Sequence, residues 1–134
     1  MTPRLSPLLL LPLLALAAGC RRVERAAPPL GRPLGVVRVV KGGQGQVGDL
    51  RIGLAYVRKG EPVLLGGSMR TLEAGLWVFV RGDEASDAKA DLRAGQSVDA
   101  AKWRVFVEEL EDGAGAHATV GVYERPPEDV PARP

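Results

Sequence analysis

The sequence has little of what builds catalytic and metal sites. It contains one cysteine, Cys20, and one histidine, His117, among 134 residues. A single cysteine excludes a disulfide within the chain and a metal site made of several thiolates, and a single histidine leaves no histidine pair. Aromatic residues make up only 4% of the chain, and the formal net charge is only +2, which does not favour a nucleic-acid partner.

The remaining polar residues form no recognisable catalytic set. No serine stands in a G-x-S-x-G setting, and no two carboxylates are placed as an acid and base pair. The acidic run from Glu108 to Asp112 could bind Ca²⁺ weakly through carboxylate oxygens, but a solvated, charged turn is the favoured interpretation. His117 is expected at the surface or at a strand edge, not as a general base or a ligand. The sequence therefore predicts no enzyme, no cofactor and no metal site.

Residues 1–20, MTPRLSPLLLLPLLALAAGC, have the three parts of a secretory signal. Arg4 supplies the positive start, Leu8 to Ala17 supply an apolar stretch, and small residues precede Cys20. The apolar stretch is too short for a membrane-spanning helix, which needs about 20 residues. Its end, Leu16-Ala17-Ala18-Gly19-Cys20, resembles the lipobox of bacterial lipoproteins.

The lipobox resemblance implies that Cys20 becomes the first residue of the mature protein, with a diacylglyceryl group on its thiol. Two or more acyl chains hold a protein stably in a membrane, since each buried CH₂ contributes about 0.8 kcal/mol. Position 21 is Arg, not the Asp that tends to cause inner-membrane retention in this family. The resemblance thus implies a cell-envelope protein on the outer membrane, facing the periplasm, if the host is Gram-negative. The alternative is an ordinary signal peptide cleaved after Ala17.

Composition divides the chain into four segments. A signal peptide, 1–19, precedes a tether rich in proline and arginine, 20–33, which starts with the lipidated Cys20 and reaches at most about 43 Å. Residues 34–124 are expected to form the folded domain, and 125–134 a disordered, proline-rich tail. The arginines next to Cys20 could each add about 1 kcal/mol against an anionic surface; the alternative is a merely solvated linker.

Residues 34–124 alternate apolar and polar side chains with period two, which is typical of strands. The longest alternation runs from Leu72 to Val80, and turn signals such as Lys59-Gly60-Glu61-Pro62 and Arg81-Gly82-Asp83 separate the runs. At most one helical turn is expected, within Glu84 to Leu92. About seven short strands predict an all-β fold, a small antiparallel β-sandwich or barrel. One inward face is expected to comprise Leu50, Ile52, Leu54 and Tyr56.

The glycine-rich segment 42–49, GGQGQVGD, contains G-x-G-x-x-G at Gly43, Gly45 and Gly48, a spacing that cradles phosphates in nucleotide sites. A strand is predicted before the motif, but residues 49–56 after it alternate with period two. A dinucleotide site requires a helix at that position. A kinase-type glycine loop does lie between strands, yet the other kinase motifs are missing. We therefore expect a flexible hairpin loop and no nucleotide.

Four of the six aromatic residues have the opposite parity from the apolar runs around them: Trp77, Phe79, Phe106 and Tyr123. A shared, exposed face of that kind would bind a partner; the alternatives are a barrel buried on both faces or a bulge that changes the register. The resulting hypothesis is a lipid-anchored, non-catalytic binding or assembly module with an envelope protein partner. Its alternative is an extracytoplasmic enzyme or enzyme inhibitor acting through an exposed loop.

Overall fold

The computed structural model describes residues 22–64 and 68–126, so Cys20, the predicted signal peptide and most of the predicted tail lie outside the described residues. The predicted all-β fold is confirmed, with nine strands in the described residues where about seven were expected. The expected single helical turn is a 3-10 helix, Glu84–Ser86. The strands are β1 (Val23–Arg25), β2 (Gly35–Val40), β3 (Gln44–Val47), β4 (Leu50–Leu64), β5 (Ser68–Val80), β6 (Ala88–Leu92), β7 (Ser97–Ala100), β8 (Trp103–Glu111) and β9 (His117–Glu124).

The strands form two antiparallel sheets. Sheet A has the order β1-β8-β9-β2, with β7 also paired to β8, and sheet B has the order β3-β4-β5-β6. The two sheets pack against each other without closing into a barrel. Each sheet therefore has an inner face, which makes the core, and an outer face.

The core lies between the inner faces, and most of its residues belong to the alternating runs that the sequence predicts. Val78 is 1% exposed and Leu76 is completely buried, although Trp77 between them is 40% exposed. Fully burying an aliphatic side chain contributes about 1.5–3 kcal/mol, so this alternation is the main source of stability. The largest fully buried side chains are Leu50, Ile52, Leu54, Leu72, Leu76, Leu110, Val39, Val78, Val105, Val107, Val120 and Val122.

Strand β4 departs from the prediction at two irregularities in its pairing with β5. One falls between Leu54 and Tyr56, and the other falls between Lys59 and Pro62. The second replaces the predicted turn, because β4 continues through it to Leu64. The first leaves one extra residue in β4 and changes its register. The expected inward position of Tyr56 is therefore wrong, since Tyr56 lies on the outer face of sheet B.

The segment predicted as a tether contributes the first strand. Val23 of β1 lies opposite Glu111, and the pairing continues to Arg25 opposite Glu109. The backbone N–H of Ala26 donates to the carbonyl of Glu108 at 3.0 Å. Three residues are too few to show an alternating pattern, so the sequence could not predict this strand. Its residues form a strand because they pair with the edge of β8. The chain then crosses from β1, at one edge of sheet A, to β2 at the opposite edge.

Candidate functional site

The outer face of sheet B carries Tyr56, Trp77 and Phe79, and we call these three residues the aromatic face. Trp77 and Phe79 are two apart on β5, so they project from the same side of the strand. Their rings are parallel within 6°, and the ring centroids are 6.1 Å apart. Trp77 is 40% exposed and Phe79 is half-buried. Trp77 is thus accessible at the surface, whereas Phe79 is accessible only in part.

A shallow depression of about 360 Å³ lies beside the Trp77 and Phe79 rings. Three glycines form part of it, Gly42 and Gly43 before β3 and Gly53 on β4. Gly53 pairs with Trp77 across the sheet and presents no side chain beside the indole. The depression therefore has a backbone floor and an aromatic wall. It also joins the start of the glycine-rich segment to the aromatic pair, two features that sequence reasoning treated separately.

Basic side chains pack on two rings of the aromatic face. Lys89 Nζ lies 4.7 Å from the centroid of the Trp77 ring, and Arg58 Cζ lies 4.5 Å from that of the Tyr56 ring. Such cation–π contacts contribute about 0.5–1 kcal/mol at exposed positions. Arg58 also donates to Glu73 at 3.1 Å, and this bond raises the pKa of the guanidinium. The face is thus apolar at its centre with charges at its margin.

Tyr56 reaches the aromatic face because a glycine lies beneath its ring. It pairs with Gly75 of β5, where a Cβ atom would collide with the ring. The Tyr56 hydroxyl donates to Asp91 on β6, and this hydrogen bond raises the pKa of the phenol. Alternation assigned Tyr56 to the core, but the Gly75–Tyr56 pair would have been a signal for the outer face, since aromatic residues commonly cover glycines across a strand pair.

Phe106 and Tyr123 do not join the aromatic face. They belong to β8 and β9 on the outer side of sheet A, where each is only 8% exposed. Their rings meet edge to face, with centroids 6.3 Å apart, and the Tyr123 hydroxyl donates to Glu108 at 3.2 Å. Burial is the main cause of the raised pKa of Tyr123. The expectation that all four aromatic residues share one exposed face is therefore wrong, because the two pairs belong to different sheets.

The G-x-G-x-x-G segment contains a short strand, and strand β4 follows it. Gly45 lies within β3 and pairs with Ile52, and Gly48 forms the turn to β4 with a φ of 56°. A Cβ on Gly45 would lie 2.5 Å from Cγ2 of Val37 on β2. The glycine therefore permits β3 of sheet B to approach β2 of sheet A closely. The predicted flexible loop is corrected to a paired strand, and the motif has a structural explanation.

His117 is buried, so the expected surface or strand-edge position is wrong. It is 3% exposed on β9, which has β8 on one side and β2 on the other. Its Nδ1 lies 3.2 Å from Nη2 of Arg38 and 3.1 Å from the carbonyl of Gly115. Nε2 lies 3.8 Å from Glu109, and Nδ1 lies 3.6 Å from Glu111. The acidic run, expected as a solvated turn, thus contributes two carboxylates to a charged cluster on sheet A.

The ligand atoms of Glu109, Glu111 and His117 lie within 4.8 Å of one another, close enough to hold a divalent metal ion. Two arginines place positive charge next to these ligand atoms, which opposes the binding of a cation. Arg38 contacts the imidazole, and Arg25 pairs with Glu109 at 3.2 Å. A metal ion would have to compete with both cations, so we interpret the cluster as a charge network that holds β1, β8, β9 and β2 together. The pairing of Glu111 with His117 across the β8–β9 turn could have been predicted from hairpin register.

Comparisons of the chain with protein-family models, with curated proteins and with solved structures find no match. Within residues 22–64 and 68–126, no helix has the length and apolarity needed to cross a membrane. The function must therefore be inferred from the residues of the chain itself. The aromatic face is the surface of the described residues that combines an exposed tryptophan with an adjoining depression.

Proposed function

We propose that this chain is a lipid-anchored cell-envelope protein that acts as a non-catalytic binding or assembly module. Its aromatic face binds an envelope protein partner. The observation that carries the proposal is the exposure of Trp77 beside the parallel Phe79 ring and the glycine-floored depression. Tryptophan is prominent among the few residues that dominate binding energy at protein interfaces.

The contacts of the aromatic face support an interface better than a structural role. Trp77 lies outside the core, because both of its neighbours on β5, Leu76 and Val78, point inward and are buried. The depression can accept one side chain of a partner against the Trp77 and Phe79 rings. Arg51, exposed and paired with Phe79 across the sheet, and Lys89 on the Trp77 ring place positive charge at the margin. They favour a partner with acidic groups around an apolar anchor.

The location follows from the sequence at Cys20, which lies outside the described residues. The lipobox resemblance supports a diacylglyceryl group on this cysteine and attachment to the envelope. Intact-mass measurement of the mature protein tests this part. We expect a chain that starts at Cys20 and carries the mass of the lipid; a soluble product with another first residue would contradict the anchor without affecting the partner site.

The partner site is tested by crosslinking capture from intact envelopes. The double change Trp77→Ser, Phe79→Ser should leave the circular dichroism spectrum largely unchanged and abolish capture of the partner. A matched control, Leu34→Ser, Val36→Ser, removes two residues that are 58% and 51% exposed elsewhere on the domain. The control should capture normally. Normal capture by the aromatic double variant would refute the proposed site.

A further inference from the structure

The first strand fastens the chain to sheet A immediately after the proposed lipid anchor. The carbonyl of Arg22 accepts from the backbone N–H of Asp112 at 3.4 Å, and Ala26 donates to Glu108 at 3.0 Å. Between these bonds, Val23–Arg25 pair with β8 as an edge strand. The backbone is therefore tied to the folded domain from Arg22 onward.

This attachment shortens the free segment of chain between the proposed lipid and the folded domain. Thirteen free residues would reach about 43 Å, whereas the two steps from Cys20 to Arg22 reach at most about 7 Å. We infer that β1 holds the domain against the membrane surface, with one particular end of the molecule on the lipid headgroups. This inference rests on the proposed lipidation of Cys20, and the surface it assigns is a second one, distinct from the aromatic face.

The end that meets the membrane is fixed by the start of β1. Val23 lies opposite the last residue of β8, so the β8–β9 turn, 112–116, is at this end. The backbone N–H of Lys41 donates to the carbonyl of Ala116 at 2.9 Å, which places the β2–β3 turn, 41–43, beside it. We call these two turns and the start of β1 the anchor end.

The chemistry of the anchor end fits the surface of an anionic phospholipid bilayer. Its turns expose small residues, Gly42 and Gly113 to Gly115, together with Lys41. Val40 and Val23 beside them are 53% and 40% exposed. Small and apolar groups can approach the headgroups closely, and a lysine is attracted to anionic lipid. The acidic groups here are Glu111 and Asp112, both half-buried, and Glu24, which pairs with Arg22 at 3.2 Å.

The inference also restricts how a partner reaches the aromatic face. The depression beside Trp77 is lined by Gly42 and Gly43 of the β2–β3 turn, so it opens next to the anchor end. With this end on the bilayer, the aromatic face opens to the side at the level of the membrane surface. A partner that fills the depression must itself lie close to the same membrane.

Fluorescence quenching in vesicles tests the orientation. Cys20 is the only cysteine of the chain, so one introduced cysteine can carry the label. Ala114→Cys places it on the anchor end. Glu84→Cys places it at the other end, where the backbone N–H of Arg81 joins the β3–β4 turn at Asp49. The lipidated protein is placed in phosphatidylethanolamine and phosphatidylglycerol vesicles that contain a nitroxide-headgroup lipid. We expect the label at 114 to lose most of its fluorescence and the label at 84 to keep it.

Two further variants test the role of β1. A Gly/Ser insertion of about twelve residues directly after Cys20 adds a span of roughly 19 Å and should reduce quenching at 114. Arg22 and Ala26 hydrogen-bond to β8 or to the residue directly after it, and in an antiparallel pair every second residue does so, which places the N–H of Glu24 toward β8 as well. Glu24→Pro removes this N–H from the ladder and should also reduce quenching at 114. Val23→Pro is the matched control, since its N–H points away from β8, and quenching should persist.

The outcomes separate this inference from the proposed function. Equal quenching at 114 and 84, or quenching at 114 that survives the insertion, overturns the inference if the intact mass shows the lipid. A mature chain without lipid refutes the anchor and this inference together. Loss of partner capture by the aromatic double variant is independent of both results.

Discussion

The change Gly45→Ala tests whether the glycine motif serves strand packing. The new Cβ would lie 2.5 Å from Cγ2 of Val37 and 3.2 Å from Cγ2 of Val39. The first contact is about 1 Å shorter than an ordinary carbon–carbon contact of 3.5–4.0 Å. Overpacking of this kind costs about 1–3 kcal/mol. The lower entropy of the unfolded alanine chain returns about 0.4–1 kcal/mol, which leaves a net loss of roughly 0.5–2 kcal/mol.

Thermal melting by circular dichroism measures this loss. For a domain of this size, each kcal/mol lowers the melting temperature by about 4–8 °C. Gly53→Ala is the matched control, because its Cβ would lie 3.7 Å from Gln44 and 3.9 Å from Trp77, which are ordinary contacts. The control should melt at or slightly above the wild-type temperature. If Gly45→Ala is equally stable, the close approach of β3 to β2 does not explain the glycine.

Three other perturbations test the core, the nucleotide interpretation and an ion pair. Val78→Asp places a charge at a position that is 1% exposed, and the cost of several kcal/mol should unfold much of a domain whose total stability is roughly 5–15 kcal/mol; an unchanged melt would show that the strand register is wrong. ATP or NAD at millimolar concentration should not raise the melting temperature, because only a ligand that binds the native state stabilises it. A saturable rise in the melting temperature would show that the glycine-rich segment does bind a nucleotide. Arg104 donates to Asp99 at 2.8 and 3.2 Å and holds the pKa of that carboxyl below its usual range. Asp99→Asn should therefore melt at a lower temperature than the wild type at neutral pH. This difference should disappear as the pH falls below about 3.9 and through the lowered pKa of Asp99 in the folded protein. A difference that persists in acid would have another cause.

Much of the fold follows from the sequence, because half-buried strands repeat every two residues. The run from Leu72 to Val80 is inward at every second residue, and the turn at Arg81 to Asp83 is where glycine predicts it. Alternation could not predict the features that depend on a neighbouring strand. β1 is too short to show a period, and β3 contains Gly45, so both depend on the edges against which they pair.

The candidate site was predictable only in part, for the same reason. Parity identified Trp77 and Phe79 as outward, since both lie on one regular strand. It could not show that Phe106 and Tyr123 belong to the other sheet, because sheet membership depends on which strands pair. Tyr56 was misplaced by a single extra residue in β4, which moves the side chains from Tyr56 to Lys59 to the other face.

Site-specific photocrosslinking from Gln44 tests the central claim most directly. This side chain is exposed and lines the depression, so a benzophenone amino acid there probes the aromatic face while Trp77 and Phe79 stay intact. Irradiation of intact envelopes should give one discrete adduct, which Trp77→Ser in the same chain should remove. The same amino acid at Val36, 51% exposed on sheet A, should give no such adduct. No adduct from Gln44, or an adduct that survives Trp77→Ser, would contradict a partner site on the aromatic face.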